Sequence, residues 1–158
     1  MIEAMIKELR LVKDSTFDVE TIYFGGGTPS LLTVEEIKKI LAITNENFYV
    51  SSNAEITLEA NPDDITADKL SGWQSAGINR LSVGIQSFKQ EDLLWMNRAH
   101  NADQARDCIR LIKVAGFNNF STDLIYGTPT LSDDDWKRNV EKMIALDFPH
   151  LSCYALTV

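Results

Sequence analysis

The residues with the clearest capacity for chemistry form a glycine-rich loop, Gly25-Gly26-Gly27-Thr28-Pro29, which directly follows a β-rich run over residues 21–24. Because glycine lacks a Cβ, such a loop can adopt positive φ and lets a ligand approach unpaired main-chain groups closely. The loop therefore predicts a site for a zwitterionic or phosphorylated small molecule. A tight turn between a strand and a helix is the alternative, and one glycine would suffice for it. No Lys follows the glycines, so the loop is not a P-loop.

Three further polar side chains, Glu59, Gln86 and Asp123, occur at or near the C-terminal ends of other predicted strands. Parallel strands end at a common edge, and α/β barrels build their active sites at that edge. We therefore expect these three side chains and the glycine-rich loop to converge on one ligand.

Strands are predicted over residues 21–24, 55–61, 80–86, 119–126 and 151–156, with helices between them. This alternation predicts a parallel α/β sheet. Each strand places apolar residues on one face and polar residues on the other; in the third strand Leu81, Val83 and Ile85 alternate with polar or small residues. Helices are therefore expected on the apolar face alone. The polar face then lines a barrel lumen, or it is the solvated side of a flat sheet.

The predicted helices have recognisable starts. The predicted capping residues are Thr33, Thr66, Asn101 and Ser132. A first helix over residues 2–12 and a short helix over 90–96 complete the set. Cys108 is expected in the core, and the acidic run 133–135 is explained by the dipole of the last helix rather than by a cation site. The apolar face predicted for that last helix consists of Trp136, Val140, Met143 and Ile144.

Composition narrows the class of protein. The chain has 158 residues and a net charge of −8, without a Lys/Arg-rich run, which argues against a nucleic-acid surface. No apolar run approaches the roughly 18 residues of a membrane span, and the N-terminal residues do not have the pattern of a signal peptide. Its two cysteines, Cys108 and Cys153, are too isolated for a disulfide framework or a metal motif. A soluble, cytoplasmic chain is therefore expected, which forms one domain or part of a larger one.

Five motifs in order carry a family resemblance. They are Gly25-Gly26-Gly27-Thr28-Pro29-Ser30, Glu59-Ala60-Asn61-Pro62, Asn79-Arg80-Leu81-Ser82 leading to Gly84-Ile85-Gln86-Ser87-Phe88, Asn97-Arg98-Ala99-His100, and Asp123-Leu124-Ile125-Tyr126-Gly127. Over residues 2–156 the chain resembles the oxygen-independent coproporphyrinogen III oxidase family of radical S-adenosylmethionine (radical SAM) proteins. The second motif and Tyr154-Ala155-Leu156-Thr157 are more similar to the haem-chaperone branch of that family.

This resemblance implies an α/β fold, a partial parallel (β/α) barrel of the radical SAM type, with five of its strands present here and its first and last parts missing. It also implies two cofactors, S-adenosyl-L-methionine and a 4Fe-4S cluster. The cofactor-binding residues that it implies are Gly26, Gly27 and Thr28 for the methionine amino and carboxylate groups, Glu59 and Arg98 for the same zwitterionic end, and Gln86 and Asp123 for the ribose hydroxyls. Two alternatives stay open: Arg98 as a surface charge, and Glu59 paired with Arg80.

Two departures from the family pattern are apparent. The family binds its cluster with a Cys-x-x-x-Cys-x-x-Cys loop that this sequence lacks, and neither Cys108 nor Cys153 can replace it. Residues 1–158 are therefore interpreted as a fragment of the barrel domain, without the N-terminal cluster-binding segment and the C-terminal domain. The family usually has Gly-Leu-Pro-Gly-Gln where this chain has Gly127-Thr128-Pro129-Thr130-Leu131, so the shape of that loop is left open.

Three functions are considered. The first is a radical SAM oxidoreductase that decarboxylates a porphyrinogen propionate, although this chain alone is expected to be inactive. The second is a haem-binding chaperone that delivers haem to acceptor proteins. The third is an unrelated α/β barrel that binds a phosphate on the glycine-rich loop. The expected partners are accordingly a small-molecule cofactor and a porphyrinogen or haem, with no nucleic acid and no membrane span.

Overall fold

The computed structural model describes residues 1–12, 18–147 and 149–157. Its strands are β1 (Asp18–Phe24), β2 (Tyr49–Ala60), β3 (Arg80–Gln86), β4 (Phe120–Tyr126) and β5 (His150–Ala155). Its α-helices are α1 (Ile2–Leu11), α2 (Val34–Asn47), α3 (Ala67–Ala76), α4 (Gln90–Trp95), α5 (Ala102–Val114) and α6 (Asp133–Ala145). Two 3-10 helices, Pro29–Leu31 and Pro62–Asp64, follow β1 and β2.

The strands pair in chain order, β1-β2-β3-β4-β5, and every pairing is parallel. Leu58 of β2 pairs with Leu81 of β3, and the neighbouring pair joins Glu59 to Ser82. Equivalent side chains of adjacent strands therefore point to the same face. This register is what brings the strand-end polar residues to one edge of the sheet.

The predicted division of the sheet into an apolar and a polar face is confirmed. Leu81, Val83 and Ile85 of β3 are all 0% exposed, and they belong to one core formed by the sheet and its helices. On the opposite face Arg80 and Ser82 remain partly accessible. Apolar burial is the dominant favourable term in folding, so this alternation fixes which side of each strand faces the helices.

The helix starts are also confirmed. Thr33, Asn101 and Ser132 each form a capping box with the residue three positions later, and the Thr66 side chain accepts from the backbone amide of Lys69. These caps satisfy amide donors that have no partner within the helix. Cys108 is buried in α5, as predicted. No described helix is long and apolar enough to cross a membrane.

Two details differ from the sequence predictions. β2 begins at Tyr49 rather than at residue 55, because its first residues pair with the start of β1 before the register shifts between Val19 and Thr21. The polar run 51–53 gives no apolar signal for this part of the strand. In α6, Ile144 is 71% exposed, so its prediction as a buried residue was wrong. Met143 is buried as predicted, Trp136 and Val140 pack partly buried against the core, and Asn139 is an additional buried residue.

Candidate functional site

A polar cavity of about 180 Å³ opens on the polar face at the C-terminal ends of the strands. The residues around it include Gly27, Thr28, Glu59, Ser82, Gln86 and Asp123. They come from the loop after β1 and from β2, β3 and β4. Five of the seven predicted site residues therefore line one cavity.

The glycine-rich loop presents main-chain groups to open space. Gly26 and Gly27 adopt φ of 79° and 58°, in the left-handed region that favours glycine. A Cβ built on either residue would meet no heavy atom within 4 Å. A ligand can therefore approach the main chain at both positions.

Glu59 connects this loop to the sheet. The Gly26 amide donates to Glu59 Oε2 at 3.1 Å, and the Tyr23 hydroxyl donates to Oε1 at 2.7 Å. Gly26 therefore belongs to the site through Glu59, although it does not line the cavity. Burial and the bond to Glu59 raise the pKa of Tyr23, so its phenol stays protonated and remains a donor.

Tyr23 is a site residue that the sequence reasoning missed. Its ring packs over Gly25: a Cβ built on Gly25 would lie 2.6 Å from the ring atom Cε1. The signal was the alternation within β1: Phe24 is buried in the core, so Tyr23 points to the opposite, polar face. Gly25 therefore has a packing role as well as a conformational one.

Gln86 has an unusual backbone. Its φ is 68°, which is uncommon for a residue with a side chain, and such strain is concentrated at functional sites. The side chain folds back over Gly84, where a Cβ would be 2.6 Å from Gln86 Nε2. The absence of a side chain at Gly84 therefore creates the space that the Gln86 amide occupies beside the cavity.

Asp123 supplies a second carboxylate to the cavity. Burial raises its pKa above the ordinary 3.8, and the negative charge of Glu59 raises it further. A hydrogen bond with Ser152 and the positive charge of Arg80 act in the opposite direction. Two acidic side chains thus face one small space, which favours a ligand with cationic groups or hydroxyl donors.

Arg80 interacts on the polar face with residues other than Glu59. Its Nε lies 3.7 Å from Glu55 Oε1, and its terminal nitrogens donate to Thr57 Oγ1 at 3.3 Å and Ser121 Oγ at 3.0 Å. The alternative in which Arg80 pairs with Glu59 is therefore not the arrangement found. Glu59 keeps its charge directed to the glycine-rich loop.

Arg98 is the predicted site residue that the structure does not bring to the cavity. It follows α4, and its backbone amide donates to Leu93 O at 2.9 Å. Among the described residues its guanidinium takes part in no ion pair. A role for Arg98 in ligand binding stays a prediction.

His100 contacts the backbone of β3, the strand that carries Gln86. It is 3% exposed, and its Nε2 lies 3.0 Å from the carbonyl oxygen of Ile85, the residue before Gln86. Burial lowers the pKa of His100, which favours the neutral ring. Since the partner is a carbonyl, Nε2 must carry the proton. The sequence reasoning quoted His100 within a motif without giving it a role.

The residues present do not fit an iron–sulfur cluster. Such clusters are held by several cysteine thiolates, and the sequence contains two cysteines. Burial raises the pKa of Cys108 to about 12, and Cys153 lies on β5. Within residues 1–12, 18–147 and 149–157 no group of three or more His, Cys, Asp or Glu residues could hold a metal ion.

Comparison with known proteins defines the class. The family model described as the Radical SAM superfamily matches residues 2–143, so the chain belongs to that superfamily. Its structure matches coproporphyrinogen III oxidase from Escherichia coli, a radical SAM enzyme, with a TM-score of 0.90 and 27% identity over 99% of this chain and 36% of that one. The five parallel strands therefore form a half-barrel of the radical SAM fold, as predicted.

Within that superfamily, the chain is similar to curated proteins that are named as haem chaperones. Heme chaperone HemW from Haemophilus influenzae is 38% identical over 160 residues, which covers 100% of this chain and 42% of the relative. Heme chaperone HemW from Escherichia coli is 38% identical over 141 residues, covering 89% of this chain and 37% of the relative. The chain therefore spans about two fifths of the length of the curated relatives it matches.

Proposed function

We propose that the polar cavity binds S-adenosylmethionine, as part of a radical SAM protein of haem metabolism. One observation carries this proposal: in a chain of the radical SAM superfamily, two carboxylates and a glycine-rich loop with open main-chain groups face one cavity at the strand ends. The cofactor has a cationic sulfonium, an ammonium and two ribose hydroxyls. The cavity offers the Glu59 carboxylate to the ammonium, and Gln86 and Asp123 to the ribose hydroxyls.

The proposed roles follow from the position of each group. Glu59 accepts the ammonium, because its carboxylate is already held beside the loop by Gly26 and Tyr23. The main chain of Gly26 and Gly27, together with Thr28, receives the rest of the methionine end. Charge-assisted hydrogen bonds of this kind are stronger than neutral ones.

At the other end of the cofactor, Gln86 and Asp123 bind the ribose hydroxyls. Both line the cavity, Gln86 on β3 and Asp123 on β4, and these strands lie on the other side of β2 from β1 and its glycine-rich loop. Arg98 is kept in the proposal as the partner of the methionine carboxylate. The cofactor would supply radical chemistry only with an electron from a reduced iron–sulfur cluster, which the residues present do not fit; the side chains described here would bind and orient the cofactor.

The physiological process is proposed from the relatives. We propose a haem chaperone, because the two curated relatives above carry that name. The alternative is a coproporphyrinogen oxidase, and it is favoured by the solved enzyme with a TM-score of 0.90. Location in the cytoplasm is part of either proposal.

Cofactor binding is tested with Glu59→Gln and Asp123→Asn by ligand-observed NMR and calorimetry. The ligands are S-adenosylmethionine, methionine and 5′-methylthioadenosine. We expect Glu59→Gln to weaken methionine by about 10-fold or more, since a hydrogen bond to a charged group is worth roughly 1.5–3 kcal/mol. Asp123→Asn should weaken 5′-methylthioadenosine and leave methionine unchanged.

The matched control for both substitutions is Asp107→Asn, whose side chain is 66% exposed on α5. It removes the same charge at a distance from the cavity and should bind all three ligands like the unmodified protein. Binding that neither Glu59→Gln nor Asp123→Asn changes would refute the assignment of the site. So would the absence of any S-adenosylmethionine binding.

The two physiological alternatives differ in what the protein does with a porphyrin. We expect an absorption titration to show saturable haem binding. This titration carries the test, because a chain whose residues do not fit an iron–sulfur cluster is expected to form no decarboxylated product from coproporphyrinogen III under either alternative. Formation of the decarboxylated product would favour the oxidase instead. If neither haem binding nor product is found, the assignment to haem metabolism is wrong.

A further inference from the structure

The fully buried carboxylate of Asp92 does not line the cavity, and the proposed binding site gives it no role. Asp92 of α4 is 0% exposed. Its Oδ2 accepts from the Ser87 hydroxyl at 2.7 Å, and its Oδ1 accepts from the Thr130 hydroxyl at 2.6 Å and the Thr128 hydroxyl at 3.4 Å. Burying a carboxylate is costly unless it is well paired. Three hydroxyl groups donate to this one carboxylate, so both of its oxygen atoms have hydrogen-bond donors.

The partners of Asp92 come from the loops that follow β3 and β4, two strands that contribute Gln86 and Asp123 to the cavity. Ser87 begins the loop after β3, and Thr128 and Thr130 belong to the loop after β4. Asp92 therefore joins the ends of two adjacent strands. The loop whose shape the sequence left open is held here by the hydroxyls of Thr128 and Thr130, both of which donate to Asp92.

A second buried side chain reinforces the same junction. Asn139 of α6 is 2% exposed; its Nδ2 donates to Ser87 Oγ at 2.9 Å, and its Oδ1 accepts from the Phe88 amide at 3.1 Å. The Lys89 amide also donates to Ser87 Oγ, at 3.0 Å. Ser87 is thus held on several sides, with Asp92 as the acceptor for its hydroxyl proton.

The residue that precedes Ser87 is Gln86, whose φ of 68° is unfavourable for a residue with a side chain. The Ser87 amide closes a tight turn around Gln86 by donating to Ile85 O at 2.8 Å. A strained conformation persists only where the surrounding structure holds it. The contacts on the C-terminal side of Gln86 are those of Ser87, whose hydroxyl donates to Asp92, and of Phe88, whose amide donates to Asn139.

We propose that Asp92 is a positioning residue for the ribose-binding end of the cavity. By holding Ser87 and the loop after β4, it keeps Gln86 in its left-handed conformation with the side-chain amide beside the cavity. Asp92 touches no ligand and acts only through Gln86. This inference rests on the proposed binding of S-adenosylmethionine, and its test includes a measurement that needs no ligand.

The ligand-binding test compares Asp92→Asn with the Asp107→Asn control on the full chain. We expect Asp92→Asn to weaken 5′-methylthioadenosine by about fivefold or more, equivalent to a lost hydrogen bond, with methionine binding unchanged. Combined with Gln86→Ala, it should add nothing to the effect of Gln86→Ala alone, because both act through the same amide. Equal weakening of both ligands, or additive losses, would overturn the proposal.

The ligand-free test uses amide chemical shifts of the ¹⁵N-labelled chain. Asp92→Asn should move the resonances of Gln86 and Thr128, and Asp107→Asn should not. Thr130→Val, which removes one hydroxyl donor without changing a charge, provides the same comparison if Asp92→Asn does not fold. Unchanged Gln86 and Thr128 resonances would overturn the positioning role. If the unmodified chain binds no 5′-methylthioadenosine, the proposed ribose site fails, and these shifts still decide the role of Asp92.

Discussion

Gly84→Ala probes the cavity without removing any polar group from it. A Cβ at this position would be 2.6 Å from Gln86 Nε2 and 3.7 Å from its Cδ. Real Cβ atoms do not tolerate the shorter distance, so the amide must move. Gln86 is only 8% exposed, which leaves its amide few alternative positions. We therefore expect the substitution to withdraw the Gln86 amide from the ligand.

The size of the effect follows from the contact that is lost. One hydrogen bond contributes roughly 0.5–1.5 kcal/mol, which corresponds to about a 2- to 13-fold weaker affinity for 5′-methylthioadenosine. The folded protein should tolerate the change. Replacing glycine by alanine reduces the entropy of the unfolded chain, which stabilises by about 0.4–1 kcal/mol where the backbone is compatible. This gain offsets the displacement of a flexible side chain.

The assay is a double-mutant cycle with Gly84→Ala, Gln86→Ala and the combined variant, measured by calorimetry and thermal unfolding. If Gly84 acts only by leaving room for Gln86, the combined variant should bind like Gln86→Ala alone. Additive losses would show that Gly84→Ala disturbs the cavity by another route. Unaltered binding by Gly84→Ala would refute the assignment of the Gln86 amide to the ligand.

The charge of Asp123 gives a pH-dependent prediction. Because burial raises its pKa above 3.8, the folded chain binds this proton more tightly than the unfolded chain, and the carboxylate costs stability as the pH rises through the folded pKa. Asp123→Asn should therefore be more stable than the unmodified protein at neutral pH in urea unfolding, with the difference vanishing below pH 3.8. Over the same window, acidification should weaken S-adenosylmethionine binding by the unmodified protein. A variant less stable at neutral pH would contradict this reasoning.

Much of this architecture could be predicted because the governing signals are local. Alternation in β3 identifies Leu81 and Ile85 as core and places Gln86 near the cavity by strand position alone. Capping residues such as Thr33 and Ser132 mark helix starts because they satisfy orphan amides close in sequence. Glu59 and Asp123 followed from the rule that parallel strands end at one edge.

Other features depend on contacts that the sequence does not display. The positive φ of Gln86 runs against its local preference, since glycine is the usual residue in that region. Asp92 meets Thr130, 38 positions later, only because β3 and β4 are neighbours. The inward face of α6 is set by Asn139, whose amide bonds to the loop after β3, and Ile144 is consequently left outside.

The charges on the polar face favour a cationic ligand at the strand ends rather than deeper in the half-barrel. At the start of β3, Arg80 is balanced by Glu55, and their hydrogen-bonding groups are engaged by Thr57, Ser121 and Asn119. Toward the strand ends, Glu59 and Asp123 face the cavity. Among the described residues, neither carboxylate takes part in an ion pair. Burial raises the pKa of Asp123, and the negative charge of Glu59 raises it further, so ionising Asp123 carries a cost in the folded chain. We expect a cationic ligand to reduce that cost, so that ligand binding and ionisation favour each other and a cationic ligand is preferred over a phosphate.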